Sequence, residues 1–349
     1  MTTVTSDLRE RVSTRDAVAL VTCAPVRRTP YGRALEQALT RAGNLALTHV
    51  LPDGEAGKTL AELERSATRL LRAGLTRRSL VVGVGGGAVT DAAGFLAATF
   101  MRGLDWIAVP TTLLAMVDAA IGGKTAVNLP LAKNVVGAFH PPTAVLTDVR
   151  ALQTLPEREL RSGFGEVLKY GCLDPALLPD VARAARRLAA PAALVERCAA
   201  AKRAVVAEDP REKGARKLLN LGHTFGHGVE AAGGFSRYTH GEAVAVGLAY
   251  AFRLARRLDR IGDAAVREVE EAIEAAGLPT RVPREIARQA VRLMAHDKKR
   301  AASGLLWVLP RADATRWTVE WDVRADDESV AAAAEETAEA PPRRRGGAR

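Results

Sequence analysis

Four of the six histidines in this 349-residue chain lie between positions 140 and 240, and three of them, His223, His227 and His240, stand beside glycine. In Gly222-His223-Thr224-Phe225-Gly226-His227 two imidazoles are four residues apart. A helix puts such a pair on one face, where both can chelate a metal ion. The metalloprotease pattern HExxH is not met, because Thr224 stands where its general-base glutamate would be. His240-Gly241-Glu242 follows and opens a second apolar helical run. A lone histidine is usually structural, whereas three clustered beside glycine favour a metal. Upstream, Glu166 in Gly165-Glu166-Val167-Leu168-Lys169 is a carboxylate inside an apolar helical pattern. A buried carboxylate needs a cation. That cation is either a metal or Lys169, three residues on along the same face. Spacing alone leaves open which three groups bind.

A second pattern is Val84-Gly85-Gly86-Gly87-Ala88-Val89-Thr90-Asp91, between a strand-like and a helix-like segment. Glycines there let a backbone approach a diphosphate, and the helix start offers free N–H groups and a positive dipole end. The spacing is not GxGxxG, so a tight turn without a ligand fits the same residues. Asp91 would cap the helix or hold a hydroxyl. Pro110-Thr111-Thr112 and Asp53-Gly54-Glu55 with Lys58 end two further strand-like runs. Open α/β sheets bind their ligands at such strand ends.

Lysine usage points to some of the same places. Only nine of the 50 basic residues are lysine. Where arginine has taken most positions that accept either base, a retained lysine marks a site for a compact ammonium. This singles out Lys124, Lys133, Lys169, Lys202 and Lys298.

These groups need a scaffold. Residues 17–22, 45–51, 79–84 and 105–109 are short apolar runs that read as buried parallel strands. Helical patterns at 31–42, 59–73 and 88–101 alternate with them, which implies a parallel α/β sheet covered on both faces. Beyond about residue 150 the pattern becomes helical, at 156–170, 176–189, 191–208, 215–232, 240–258, 263–276 and 283–296. A strand pair at 304–310 and 314–321 closes it. The expected division is an α/β domain over 1–152, a helical domain over 153–324 and a disordered tail over 325–349, where large apolar residues are scarce.

Composition excludes several function classes. The chain is 48% hydrophobic and 26% charged, as expected of a globular protein. No apolar run approaches the ~20 residues that span a bilayer, and the polar N-terminus has no signal-peptide core, so a cytoplasmic protein is expected. Cys23, Cys172 and Cys198 are scattered without metal-ligand spacing and read as reduced structural thiols. The net charge of +10 is interleaved with acids and lacks an aromatic stripe, which argues against a nucleic-acid partner. An anionic small substrate accounts for part of that charge.

The motifs PDGEAGKTL (52–60), GGGAVTDAAGFLAATFMRG (85–103), VPTTLLAMVDAAIGGKTAVN (109–128), KNVVGAFHPP (133–142), LPERELRSGFGEVLKYG (155–171), RKLLNLGHTFGH (216–227), HGEAVAVG (240–247) and HDKK (296–299) occur in this order. Together they resemble the 3-dehydroquinate synthase family of sugar-phosphate cyclases. The resemblance implies a Rossmann-like NAD-binding α/β domain followed by a mainly α-helical metal-binding domain. It implies Glu166, His223 and His240 as ligands of zinc or cobalt, with His227 a neighbour that contacts substrate or phosphate. NAD would be held by Asp53, Glu55, Lys58, the 86–91 loop (Gly86, Gly87, Ala88, Val89, Thr90, Asp91), Thr111, Thr112, Lys124, Lys133 and Ala151-Leu152-Gln153-Thr154. Arg102, Asp118, Lys124, Lys133, Asn134, Lys169, Lys202, Arg216, Asn220 and Lys298 match positions around the substrate. A homodimer is implied as well. Thr90 departs from the family's usual glycine, and would be strained if the position needs a positive φ.

The implied reaction converts 3-deoxy-D-arabino-heptulosonate 7-phosphate to 3-dehydroquinate and phosphate. It runs through transient NAD-mediated oxidation, phosphate elimination, reduction and intramolecular aldol closure. Lys124, Lys169 and Lys202 would contact substrate and neutralise charge. Arg102, Lys133, Asn134 and Lys298 would contact phosphate or carboxylate, and His227 would relay protons. The alternatives are another sugar-phosphate cyclase, such as 2-deoxy-scyllo-inosose synthase, or an NAD-dependent polyol dehydrogenase of the iron-type alcohol dehydrogenase fold.

Overall fold

A computed structural model describes residues 2–298, 305–314 and 316–340. The chain runs through α1 (Thr2–Val12), β1 (Val18–Cys23), α2 (Ala24–Arg28), α3 (Pro30–Arg41), β2 (Leu45–Leu51), α4 (Leu60–Arg72), β3 (Leu80–Gly85), α5 (Gly87–Thr99) and β4 (Asp105–Pro110). It continues with β5 (Lys124–Leu129), β6 (Ala132–Phe139), β7 (Ala144–Val145), α6 (Glu157–Leu173), α7 (Leu178–Arg186) and α8 (Ala192–Glu208). Then follow α9 (His223–Ala232), α10 (His240–Arg257), α11 (Asp263–Ala275), α12 (Arg284–Lys298), β8 (Trp307–Ala312), β9 (Trp317–Val323) and α13 (Asp327–Glu336).

Two compact units result, Met1–Gly163 with Ala190–Arg211, and Phe164–Ala189 with Glu212–Arg349. The expected boundary lay at 152–153. The units divide instead inside α6, and α8 belongs with the first.

The first unit is built on a five-stranded parallel sheet of order β2-β1-β3-β4-β7. β1 and β3 are buried at every residue, which is why they read as unbroken apolar runs rather than alternating ones. The chain leaves β1 towards β2 on one side and returns as β3 on the other, so the strand order reverses at the β1–β3 pair. Ligands of open α/β sheets bind at the carboxyl ends beside such a reversal. The first turn of α5 starts there, straight after β3. The antiparallel hairpin β5–β6, not foreseen from periodicity, follows β4.

In the second unit α10 is buried along nearly its whole length and packs against α9, α11, α13 and β8. Glycines set how closely its neighbours approach. A Cβ on Gly247 would lie 1.8 Å from the carbonyl oxygen of Gly222, and one on Gly165 would lie 2.3 Å from that of Gly241. Gly222 also has φ +79, a left-handed conformation that favours glycine, immediately before α9. The backbone of α10 therefore meets α6 at Gly165 and Gly241, beside Glu166 and His240, and meets the start of α9 at Gly222, beside His223, through Gly247.

The tail expected to be disordered from 325 is helical over α13. Val330, Ala333 and Ala334 lie on one buried face, and Asp326 caps the helix by accepting the N–H of Ser329. Tyr250 Oη donates to Val330 O at 3.0 Å, and Val282 bridges Ala338. Small side chains suffice where the neighbouring surface comes close, and an argument that counts large apolar residues misses this. The end of the tail, 341–349, and the side chains of the HDKK segment, 296–299, lie outside those described.

Gly247→Ala should destabilise the second unit by about 3 kcal/mol, because an added methyl meets backbone rather than a flexible side chain. Thermal unfolding should fall by at least ~5 °C. An unchanged melting temperature would contradict the contact.

Candidate active site

Each unit carries its own cluster of polar side chains. In the second unit Glu166 is fully buried on α6. Its Oε1 lies 3.3 Å from His223 Nε2 and 3.1 Å from His240 Nε2. Its Oε2 lies 2.5 Å from Lys169 Nζ, an ion pair whose angle is not that of a hydrogen bond. Lys169, one of the two cations considered for Glu166 from sequence, thus faces one oxygen, while both imidazoles face the other. His223 is the first residue of α9, directly after the left-handed Gly222. His240 is the first residue of α10, held there by a capping box in which Thr239 and Glu242 satisfy each other's backbone N–H groups. Glu242 of the His-Gly-Glu motif is therefore spent on the helix start.

The outer ring nitrogens are also engaged. His223 Nδ1 lies 3.1 Å from Leu221 O, and His240 Nδ1 lies 3.3 Å from Glu230 Oε2. One atom each from Glu166, His223 and His240 lie within 4.8 Å of one another. One carboxylate and two imidazoles facing inwards, with their far sides anchored, suit zinc or cobalt. The residues present fit the metal.

Electrostatics agree. Burial alone would raise the Glu166 pKa, but the charges of Lys169 and His223 and hydrogen bonds from both histidines hold it well below the usual range. Burial would lower His240, yet hydrogen bonds with Glu166 and Glu230 push it up to about 10. Both shifts favour positive charge beside Glu166. His227, four residues after His223, has its ring 5.4 Å from that of His223 and 6.2 Å from that of His240. It keeps solvent access. Desolvation by the surrounding protein and the nearby histidines lower its pKa to about 4, so it is neutral near pH 7. Arg216 is buried, and Asn220 donates to Glu212 Oε1 at 2.6 Å.

In the first unit the buried Lys58 donates to Asp91 Oδ2 and to Asn134 Oδ1, both at 2.7 Å. Burial raises the Asp91 pKa and the charge of Lys58 opposes that rise. Asn134 has φ 57, a conformation asparagine tolerates, and its N–H donates to Asn128 Oδ1 at 2.9 Å. Asn128 Nδ2 in turn donates to Glu55 Oε2 at 2.5 Å. On α8, Lys202 is buried and donates to Asp118 O at 2.6 Å while pairing with Asp118 Oδ1 at 2.8 Å. Asp53 caps the turn Gly54–Gly57. The 149–154 turn, which holds Ala151, Leu152, Gln153 and Thr154, is capped by Asp148.

The glycine loop fits a diphosphate. No side chain caps α5, so its first N–H groups are left for a ligand. A Cβ on Gly86 would also come within 2.9 Å of Thr112 Cγ2, so glycine is required there by packing against the Thr111-Thr112 strand end as well. Thr90 lies inside α5 without a positive φ, and its hydroxyl donates to Gly87 O at 3.0 Å. The strain anticipated for it is absent.

Some expected residues stand apart. Arg102 is exposed with φ 68 and, among the described residues, its side chain makes no ion pair or hydrogen bond. Lys124 is exposed and opens β5 after two left-handed glycines, and Lys133 lies on β6. Lys298 ends α12, but its side chain lies outside those described. Two residues were missed, Glu230 and Asn128. Glu230 continues the His223–His227 helical stripe by one more turn, a signal available in the sequence. Asn128 had none beyond being polar in an apolar strand.

Models of the 3-dehydroquinate synthase N-terminal and C-terminal regions match residues 48–162 and 163–300. A 3-dehydroquinate synthase from Citrifermentans bemidjiense is 42% identical over 301 residues, 84% of this chain and 82% of that protein. Among solved structures, 2-deoxy-scyllo-inosose synthase complexed with carbaglucose-6-phosphate, NAD+ and Co2+ matches with TM-score 0.78 and 26% identity, over 96% of this chain and 95% of that one. The 2-epi-5-epi-valiolone synthase of Streptomyces hygroscopicus with NAD+ and Zn2+ matches with TM-score 0.79 and 25% identity, over 93% and 91%. A probable glycerol dehydrogenase from Sinorhizobium meliloti, at 17% identity and TM-score 0.63 over 96% and 93%, shares the fold.

His240, protonated near neutral pH in the metal-free cluster, must lose its proton to offer Nε2 to a metal. Adding zinc to metal-free protein at pH 7.5 should release about one proton per metal bound. A pH indicator in weak buffer measures this, and zinc binding without proton release would contradict the assigned charge state.

Proposed function

The chain belongs to the 3-dehydroquinate synthase family, and we infer from that membership that it converts 3-deoxy-D-arabino-heptulosonate 7-phosphate to 3-dehydroquinate and phosphate. The observation that carries the chemistry is the buried Glu166 with two imidazoles on one oxygen and an ammonium on the other. When bound, the divalent metal supplies Lewis acidity towards substrate hydroxyls and NAD supplies a reversible hydride store, with no net redox change.

The chain's own side chains then position and neutralise. Glu166, His223 and His240 would hold the metal. Asp53, Glu55, Lys58, residues 86–91, Thr111, Thr112, Lys124, Lys133 and 151–154 would hold NAD, its diphosphate on the uncapped start of α5. Lys169 and Lys202, buried and paired with Glu166 and Asp118, keep compact positive charge ready for an anionic substrate. Lys124 joins them. Arg102, Lys133, Asn134 and Lys298 are assigned to phosphate or carboxylate, and Arg216 and Asn220 to the same substrate. His227, open to solvent beside the two ligand histidines, would relay a proton.

A cytoplasmic location fits three buried cysteines that form no disulfide among the described residues. No described helix is long and apolar enough to cross a membrane. A homodimer is proposed from the family, with support from Leu131, Val135 and Phe139 exposed on the β5–β6 hairpin. Light scattering of the purified chain should give twice the 37.1 kDa chain mass, and a monomer would refute it.

Phosphate release from 3-deoxy-D-arabino-heptulosonate 7-phosphate, with NAD and zinc, should be abolished by EDTA and restored by zinc. NADH should not accumulate. No release by protein shown to hold metal and cofactor would reject the assignment. Steady NADH formation would point instead to a polyol dehydrogenase, and release from another sugar phosphate alone to a different cyclase.

A further inference from the structure

Both metal-facing histidines present Nε2 to Glu166, but their far sides differ. His223 Nδ1 faces a backbone carbonyl, Leu221 O, at 3.1 Å. His240 Nδ1 faces a carboxylate, Glu230 Oε2, at 3.3 Å. Either acceptor can only receive a proton, so once a metal takes the place of the Nε2 proton each ring would keep its remaining hydrogen on Nδ1. Glu230 is 7% exposed and lies on α9 in line with His223 and His227. One stripe of α9 thus supplies one ligand and the anchor for another that α10 contributes. A carboxylate behind an imidazole fixes its tautomer and ring plane and makes it a stronger donor than a carbonyl does.

We propose that Glu230 is a positioning residue for the metal centre, holding His240 by its Nδ1–H so that Nε2 faces the metal. The proposal rests on the assignment of Glu166, His223 and His240 as ligands. Glu230 would not itself touch the metal.

The test is zinc binding to the metal-free full chain, by competition with a chromophoric chelator, for wild type, Glu230→Gln, Glu230→Ala and Glu166→Gln. Glu230→Ala should weaken zinc binding ~10–100-fold, and Glu230→Gln, which keeps an acceptor oxygen without the charge, should lose less. Cobalt-loaded Glu230→Gln should show a shifted visible absorption band at full occupancy, which a merely structural role would not produce. Wild-type affinity and an unshifted cobalt band in the Glu230 variants would overturn the proposal. So would loss of zinc from Glu230→Gln as complete as from Glu166→Gln, which would make Glu230 a ligand. Failure of the wild type to bind zinc would instead reject the metal assignment on which the proposal stands.

Discussion

A carboxylate with no solvent access costs several kcal/mol unless cations meet it, and Glu166 is such a group. Its two oxygens divide the task, Oε2 to Lys169 and Oε1 to the Nε2 atoms of His223 and His240. Three helices must bring these side chains to one point. Gly165, Gly222 and Gly241 stand beside these residues, and the close backbone approaches are Gly165 to Gly241 and Gly222 to Gly247. Gly222 and Gly241, which made His223 and His240 conspicuous in the sequence, are among the glycines that let α10 pack closely against α6 and the start of α9.

The first unit follows a related logic. Lys58 and Lys202 are buried against Asp91 and Asp118, so two ammonium groups are held without solvent and without flexible reach. A guanidinium is planar and larger and presents a fork rather than a point charge. In a chain that otherwise favours arginine, lysine remains where a compact cation must fit between a carboxylate and a carbonyl or amide oxygen. The rationale covers Lys58 and Lys202, and Lys169 shares the burial against a carboxylate. Exposed Lys124 is not explained by burial.

Much of this was legible before the structure. The parallel strands announced themselves as continuous apolar runs because both faces of the sheet are covered. The helices of the second unit followed from their spacing, and residues 215–232 differed only in breaking into a 3-10 turn and α9 at Gly222, where a left-handed glycine interrupts the pattern. Hairpin β5–β6 was hidden because its strands alternate weakly and leave Val135 and Phe139 exposed. Helix α13 was hidden because it packs through alanine. Local spacing placed His223 and His227 on one face, which is correct, but ligation depends on what faces that stripe from other helices. Asn128 was missed for the same reason, since its partner Glu55 is distant in sequence, whereas Glu230 lies on the same α9 stripe and only ten residues from His240.

X-ray absorption at the zinc edge of the zinc-loaded full chain tests the central claim most directly. A first coordination sphere of two imidazole nitrogens and a carboxylate oxygen at ~2.0–2.2 Å is expected, with imidazole multiple scattering beyond it. Sulfur at ~2.3 Å, or a sphere without imidazole, would contradict the assignment of Glu166, His223 and His240 as the metal's ligands.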